Sequence, residues 1–192
     1  MKVCFKNFVN LTDEEIKLVH TERNKSVIRE KMYNQNEIPF ESHMEWISGL
    51  KNRSDCKYFL VFLDEDPVGV VDFIDITKNS CEFGFYLFES YLGSGYGIIL
   101  EKYSIDYIFE NLGLELLNIA VLESNKNVYK NHMKYFGFVK DDKLDLIRDA
   151  NIFLGFSLSK NQWVSLDKTI LNKCLSFFDI QEVNWEQCYG FK

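Results

Sequence analysis

The feature that most constrains the fold is a series of three strand-like segments that ends in a glycine-rich loop and a helical pattern. Residues 57–63 are continuously apolar after Lys57, residues 68–76 are rich in β-branched side chains, and residues 81–88 follow after a second short turn. Short turns between such segments predict an antiparallel meander. Residues 91–97 contain the loop, which leads directly into apolar positions at helical spacing as far as residue 111. This order predicts a mixed α/β domain.

The N-terminal segment predicts one strand and two helices. Residues 3–9 have the strand pattern, and Thr12 and Glu15 then have the spacing of a capping box, which begins a helix that runs to residue 23. The charged, Asn-rich stretch that follows predicts a broken helix or a mobile loop. Apolar residues at helical spacing predict the second helix over residues 40–50.

The second half of the chain predicts a strand, a helix, a hairpin and a helical C-terminal segment. The first three of these span residues 114–122, 125–136, and 138–146 with 152–158. Gly137 closes the helix. From Trp163 the pattern is helical, and it then frays into a polar tail that contains Trp185. We therefore expect a domain of residues 1–160 and a C-terminal helical extension of residues 161–192.

Composition restricts the class of protein. The 192 residues are 46% hydrophobic, which fits a single globular core. A formal net charge of −7 makes nucleic acid a poor partner, because phosphate binding needs clustered Lys and Arg. The sequence has neither an apolar run of about 18 residues nor the pattern of a secretion signal, so we expect no membrane partner and a cytoplasmic location.

The cysteines and histidines do not form a metal-binding pattern. The five cysteines are scattered and form no Cys-x-x-Cys pair, and the three histidines are widely separated. We therefore expect no metal. In a cytoplasmic protein the thiols are also expected to be reduced.

The loop between the third strand and the helix carries glycine at alternate positions, namely Gly93, Gly95 and Gly97. Glycine lets the backbone come close to a ligand, and the helix that follows adds unpaired amide N–H groups and a partial positive charge. These properties fit a pyrophosphate, whereas a tight strand-to-helix turn would explain the same residues without a ligand. The spacing matches neither the Walker A motif nor the dinucleotide-binding fingerprint.

The order of elements resembles that of the GNAT N-acetyltransferase family. Residues 92–97 are similar to its pyrophosphate loop, Gln/Arg-x-x-Gly-x-Gly/Ala, except that Leu92 replaces the usual Gln or Arg. The resemblance continues at residues 125–132 and 137–138 and covers residues 1–160. It implies an α/β (α+β) fold in which four helices flank a mixed, mostly antiparallel sheet of about seven strands.

The resemblance also implies acetyl-CoA as co-substrate and direct attack of an amine on its thioester. In the family, two central strands splay apart, and the pantetheine arm lies in the gap, where backbone groups polarise the carbonyl. The resemblance assigns ten residues to acetyl-CoA, namely Phe85, Tyr86, Leu87, Leu92, Gly93, Ser94, Gly95, Tyr96, Gly97 and Asn125.

Several short stretches resemble one branch of the family, the acetyltransferases of pseudaminic-acid biosynthesis. These stretches are residues 22–24, 40–43, 58–62, 69–73 and 81–84. That branch acetylates the 4-amino group of a UDP-linked 4-amino-4,6-dideoxy sugar. Arg23, Asn24 and His43 lie where the family builds its acceptor pocket, and arginine suits a nucleotide phosphate. The alternative for Arg23 is an ordinary position in solvent.

His132 occupies the position at which the family usually has a tyrosine as general acid. It lies seven residues after Asn125, on nearly the same helix face. Histidine can donate a proton to a leaving thiolate near neutral pH, whereas a helical histidine that faces solvent would have no role. Tyr129 is the substitute if His132 points outward. The alternative for Tyr129 is core packing in an apolar stripe with Met133 and Phe136.

Two carboxylates are candidates for the general base. Asp72 shares strand parity with apolar residues, so burial would raise its pKa toward a useful value. A structural Asp72 that binds backbone amides is the alternative. Glu82 is the second candidate, with a surface carboxylate as its alternative. A sugar amine is less basic than lysine, so water could also suffice.

The leading hypothesis is an acetyl-CoA-dependent N-acetyltransferase whose partners are acetyl-CoA and a UDP-amino sugar. A homodimer is an open option. Acetylation of protein N-termini is the alternative activity, because enzymes of that kind share the Arg-Asn and His features. A non-catalytic acyl-CoA-binding module is a third hypothesis, since the usual tyrosine is missing.

Overall fold

In the computed structural model, which describes residues 1–186, the strands form one sheet and helices pack against it. The strands are β1 (Lys2–Asn7), β2 (Lys57–Leu63), β3 (Asp66–Ile74), β4 (Ser80–Leu87), β5 (Leu116–Leu122), β6 (Val139–Lys140), β7 (Leu146–Arg148), β8 (Asn151–Ser159) and β9 (Glu182–Trp185). The helices are α1 (Asp13–Asn24), α2 (Ser26–Arg29), α3 (Phe40–Gly49), α4 (Gly97–Asp106), α5 (Lys126–Phe136), α6 (Lys160–Ser165) and α7 (Thr169–Leu175). A π-helical turn, Tyr107–Asn111, extends α4.

The sheet has the strand order β6-β8-β5-β4-β3-β2-β1-β9, with β7 paired to β8. The β2–β3 and β3–β4 pairs are antiparallel, which confirms the predicted meander. The β4–β5 and β1–β9 pairs are parallel, so the sheet is mixed and mostly antiparallel, as predicted. The described residues form nine strands instead of about seven, because the segment before β8 divides into β6 and β7 and because β9 was not predicted.

Alternating side chains of the central strands build a core on each face of the sheet. In β2, Phe59 and Val61 belong to one core, whereas Leu60 belongs to the other. Residues of α4 and α5 pack in the first core, and residues of α1 and α3 pack in the second. This arrangement places helices on both faces of the sheet.

Local sequence signals explain where the helices begin and end. The predicted capping box at α1 is present: the Glu15 amide donates to Thr12 Oγ1 at 3.3 Å, and the Thr12 amide donates to Glu15 Oε2 at 2.7 Å. Gly137 ends α5 with a φ of 77°, the left-handed conformation that favours glycine. The stretch between α1 and α3 contains only the short α2, in line with the predicted broken helix.

The C-terminal segment differs from the predicted helical extension at its end. Helices α6 and α7 are present, but β9 then pairs in parallel with β1. The prediction that Trp185 lies in a frayed tail was wrong. Its ring stacks on Phe5 at 3.7 Å and on Tyr107 at 4.0 Å between centroids. The edge of β1 supplies backbone partners that a polar sequence can use, and no local pattern reveals that pairing.

The cysteines differ from the prediction in one respect. Cys56, Cys81 and Cys174 are free thiols, as expected. Cys4 is disulfide-bonded, so the expectation that every cysteine is reduced was wrong. Pairing depends on which cysteines the fold brings together, and spacing along the chain does not contain that information.

Candidate active site

A gap between two central strands opens the site. β4 and β5 pair only over residues 80–82 and 116–118, and they separate beyond these residues. A cavity of about 1010 Å³ lies at this gap, and residues 85–87 of β4 line it. The separation agrees with the one that the family resemblance implies. It leaves an edge of β4 that an extended ligand can use in place of a strand.

The glycine-rich loop forms one part of the cavity wall. Gly93 and Gly95 have φ angles of 80° and 85°, a conformation that other residues rarely adopt. The amides of Gly93, Gly95 and Gly97 have no acceptor among the described residues. α4 begins at Gly97 without a side-chain cap. A loop with unpaired amides at a helix N-terminus is suited to an anionic group.

The remaining predicted loop residues have different places. Leu92 is 46% exposed and lines the cavity, as does Asn125 directly before α5. Ser94 Oγ accepts a hydrogen bond from the Tyr96 amide at 3.1 Å, which stabilises the loop itself. Neither Ser94 nor Tyr96 is among the residues that line the cavity.

Helix α5 places His132 in the cavity wall with only 4% of its surface exposed. Its Nδ1 forms a hydrogen bond with Oε1 of Glu101 on α4. Glu101 is also buried, with 3% of its surface exposed. Burial raises the pKa of Glu101, and His132 opposes that rise through its charge and hydrogen bond. Because Nδ1 is occupied, Nε2 is the ring nitrogen left to exchange a proton in the cavity. His132 therefore does not face solvent.

Asp72 lies near the end of β3, opposite Gly84 of β4. A Cβ at position 84 would lie 3.0 Å from each carboxylate oxygen of Asp72, so glycine leaves room for the acid. The carboxylate has no hydrogen bond from another described residue, in contrast to a structural Asp that binds backbone amides. Burial raises the pKa of Asp72 to about 7, with a smaller contribution from the Glu82 charge and opposition from Arg23. Such an acid can accept a proton near neutral pH.

Glu82 also lines the cavity, but its carboxylate already has a partner. The Tyr33 hydroxyl donates a hydrogen bond to Glu82 Oε1 at 2.7 Å. The Arg148 guanidinium lies 4.6 Å from the centre of the Tyr33 ring. Burial raises the pKa of Glu82, and the hydrogen bond from Tyr33 opposes that rise. Glu82 is thus a half-buried cavity residue instead of a surface carboxylate.

Another part of the wall contains polar groups without partners. Arg23 donates from Nη2 to the Asn34 carbonyl at 2.9 Å, whereas its buried Nη1 has no partner among the described residues. His43 is 4% exposed, and its Nε2 is also buried and unpaired there. Burial lowers the pKa of His43 to about 4, so the ring is neutral. Trp46 and Tyr58 line the same cavity. Buried polar atoms without partners in a cavity indicate a polar ligand.

Two other predicted residues lie outside the cavity lining. Asn24 accepts from the Ile38 amide at 2.8 Å and donates to the Ile38 carbonyl at 2.9 Å, which holds the loop before α3. Tyr129 stacks on Phe156 with 5.7 Å between centroids. Since His132 points inward, the condition for Tyr129 as substitute does not apply. Met133 is 46% exposed, so its place in the predicted apolar stripe was wrong.

The raised pKa of Asp72 predicts a pH-dependent gain in stability for Asp72→Asn. The folded protein binds the proton of Asp72 more tightly than the unfolded chain between pH 3.8 and about 7. Wild-type stability therefore falls as pH rises through this range, by on the order of 4 kcal/mol for this group. Asparagine has no proton to lose, so thermal unfolding should give the variant little advantage at pH 4 and its largest advantage at pH 8.

Asp75→Asn is the matched control, because Asp75 is exposed in the turn after β3. We expect it to unfold at the wild-type temperature at both pH values. An advantage of Asp72→Asn that is equal at pH 4 and pH 8 would contradict the burial of a charged Asp72.

Comparison with known proteins identifies the family. A family model described as "Acetyltransferase (GNAT) domain" matches residues 7–138. The chain belongs to this family. The GNAT domain thus includes the meander, the glycine-rich loop, the gap between β4 and β5, and helix α5 with His132.

Individual relatives agree with this GNAT assignment. The chain is 39% identical over 142 residues to the acetyltransferase PseH of Campylobacter jejuni strain 81-176, which covers 73% of this chain and 88% of that protein. The crystal structure of C. jejuni PseH in complex with acetyl coenzyme A matches with a TM-score of 0.65 and 34% identity, over 82% of this chain and 99% of that chain. A spermidine N-acetyltransferase from Vibrio cholerae shares the fold, with a TM-score of 0.74 at 16% identity over 85% and 98% of the two chains.

These matches confirm the predicted family and fold class of the GNAT protein. Within residues 1–186, no helix is long and apolar enough to cross a membrane. In the same residues, no group of three or more His, Cys, Asp or Glu side chains is placed to hold a metal ion.

Proposed function

We propose that this GNAT protein transfers the acetyl group of acetyl-CoA to the 4-amino group of a UDP-linked 4-amino-4,6-dideoxy sugar, a step of pseudaminic-acid biosynthesis. One observation carries the proposal: a single cavity contains the glycine-rich loop, His132, Asp72 and the unpaired polar atoms of Arg23 and His43. A donor site and an acceptor site therefore share one space. The likeness to PseH supports the choice of acceptor.

The donor end of the cavity fits coenzyme A. The unpaired amides of Gly93, Gly95 and Gly97 would bind the diphosphate, since each offers an N–H at the start of α4. Residues 85–87 line the gap beside β5, where their backbone groups would pair with the pantetheine arm. The Leu92 side chain has no hydrogen-bonding group, so backbone amides would bind the diphosphate.

Two cavity groups can move the protons that the reaction requires. The amine nitrogen attacks the thioester carbonyl, the N–C bond forms, and the C–S bond breaks. Asp72, whose pKa burial raises to about 7, would accept the proton that the amine loses. His132 would donate a proton from Nε2 to the departing thiolate, while Glu101 holds Nδ1 and fixes the ring. Glu101 is thus a positioning residue, and Glu82 is held by Tyr33.

The acceptor end of the cavity fits a nucleotide sugar. The free Nη1 of Arg23 can donate to a phosphate oxygen, and the arginine remains charged even though burial lowers its pKa. The neutral ring of His43 can exchange a hydrogen bond with a sugar hydroxyl or phosphate through its unpaired Nε2. Trp46 and Tyr58 add flat apolar surface for a base or a sugar ring.

A substrate assay tests the proposal. The full chain is incubated with acetyl-CoA and the UDP-linked 4-amino sugar, and free thiol and acetylated product are measured. We expect turnover of this sugar, none of the matched sugar with a 4-hydroxyl group, and none of peptides with free N-termini. Turnover of peptides alone would instead support the protein N-terminal acetyltransferase. Binding of acetyl-CoA without turnover of any amine would support the non-catalytic module.

The location follows from the same proposal. A cytoplasmic location supplies both acetyl-CoA and nucleotide sugars, so we place the enzyme there. The homodimer remains a prediction, which the mass of the protein in solution would test.

A further inference from the structure

The turn after α7 lies against the glycine-rich loop. Phe178 Cζ lies 3.5 Å from the position of a Cβ on Gly95, and the Phe178 ring is 5.7 Å from that of Tyr96 between centroids. Cys174, Phe177 and Phe178 line the same cavity as the loop. The C-terminal segment, which lies beyond the family match that ends at residue 138, thus contributes to the cavity wall.

Contacts before and after the turn hold this part of the cavity wall in place. Before the turn, the Trp163 indole of α6 donates to Asp106 Oδ1 at 3.0 Å, and Leu171 of α7 is only 1% exposed. After the turn, β9 joins the sheet beside β1. There Trp185 stacks on Phe5 and Tyr107. The turn is therefore positioned by packing that does not involve the ligand.

Phe177 differs from the other aromatic residues of this segment. It is 78% exposed, whereas Trp163 is 4% exposed. Folding therefore gains little from the Phe177 ring, although the residue lines the cavity. An aromatic side chain that is exposed at a cavity wall, beside a loop suited to a diphosphate, is available to a ligand group with a flat face.

We propose that Phe177 stacks on the adenine base of coenzyme A. The inference rests on the proposed function, in which Gly93, Gly95 and Gly97 bind the diphosphate. In that arrangement the pantetheine arm would lie along β4. The adenosine is attached directly to the diphosphate, so it would lie near the turn that contacts the loop at Gly95 through Phe178 and that also contains Phe177. The base has a flat face on which an aromatic ring can stack.

The variant Phe177→Ala tests this contact, with acetyl-CoA and S-acetyl-4′-phosphopantetheine as the two probes. The second donor has the same reacting arm but no adenosine. We expect the variant to raise the Kd of acetyl-CoA about tenfold by calorimetry and to leave the Kd of the shorter donor unchanged. Phe177→Trp should bind acetyl-CoA as tightly as wild type. Val164→Ala, at a residue that is 72% exposed and outside the cavity lining, is the matched control.

Each outcome either supports or contradicts the stacking of Phe177 on adenine. An unchanged Kd of acetyl-CoA in Phe177→Ala, or an equal loss for both donors, would overturn the proposal. Calorimetry needs no acceptor, so wild type that binds acetyl-CoA but acetylates no amine would contradict the proposed function and still allow the Phe177 comparison. Wild type that does not bind acetyl-CoA would overturn both.

Discussion

Replacing His132 with alanine is expected to lower kcat about 100-fold or more and to leave the Kd of acetyl-CoA within about threefold. In the proposed mechanism the variant loses the cavity nitrogen that gives a proton to the thiolate, whereas the loop amides that would bind the diphosphate are unchanged. Steady-state kinetics with a UDP-amino sugar measure kcat, and calorimetry measures the Kd. His132→Tyr restores the phenol that the family usually has at this position, so it should retain more activity than His132→Ala.

The hydrogen bond to Glu101 makes a second variant informative. Glu101→Gln should lower kcat about tenfold, change the pH profile of kcat, and leave KM for acetyl-CoA unchanged, because glutamine holds Nδ1 without a negative charge. In a His132→Ala background the same change should cost no further activity. Glu110→Gln, at an exposed residue of the π-helical turn, is the control.

Wild-type kcat in His132→Ala would contradict the proton-donor role.

Replacing Gly95 with alanine is expected to raise the Kd of acetyl-CoA at least about tenfold. The φ of 85° at Gly95 is unfavourable for alanine, and a change of this angle would turn the amides of the loop away from the diphosphate. A Cβ there would lie 3.5 Å from Phe178 Cζ, an ordinary contact distance, so the backbone angle is the main reason for the effect. Calorimetry with acetyl-CoA measures the effect directly.

Gly113→Ala is the matched control for this change. Gly113 has a similar φ of 68°, has no atom within 4 Å of an added Cβ, and does not line the cavity. Both variants should lose about 1 kcal/mol of stability through backbone strain, and Gly95→Ala alone should lose affinity. Equal Kd values in the two variants would mean that the loop does not bind the cofactor.

Local patterns were sufficient to predict much of the fold. Each strand of the meander alternates or runs apolar between turn residues, and the capping box at Thr12 and the terminal Gly137 mark helix ends through contacts only a few residues apart. The glycine-rich loop was identified for the same reason, since the positive φ angles of Gly93 and Gly95 are a local backbone feature that glycine marks in the sequence. Such features depend on neighbours along the chain, which the sequence displays directly.

Contacts between distant residues could not be predicted in this way. Glu101 resembles any polar helix residue until α4 and α5 come together and its carboxylate meets His132, 31 residues away. Tyr33 and Glu82 are separated by 49 residues and meet only across the cavity. The signal that could have indicated Glu101 is its place directly after the apolar residues Ile98, Ile99 and Leu100.

The central claim is that amides of the glycine-rich loop bind the diphosphate of coenzyme A and so bring the thioester to His132. A crystal structure of the full chain with acetyl-CoA tests it most directly. We predict diphosphate oxygens about 3 Å from the amide nitrogens of Gly93, Gly95 and Gly97. A coenzyme A molecule that binds elsewhere, or a loop that remains empty at saturating acetyl-CoA, would contradict the claim.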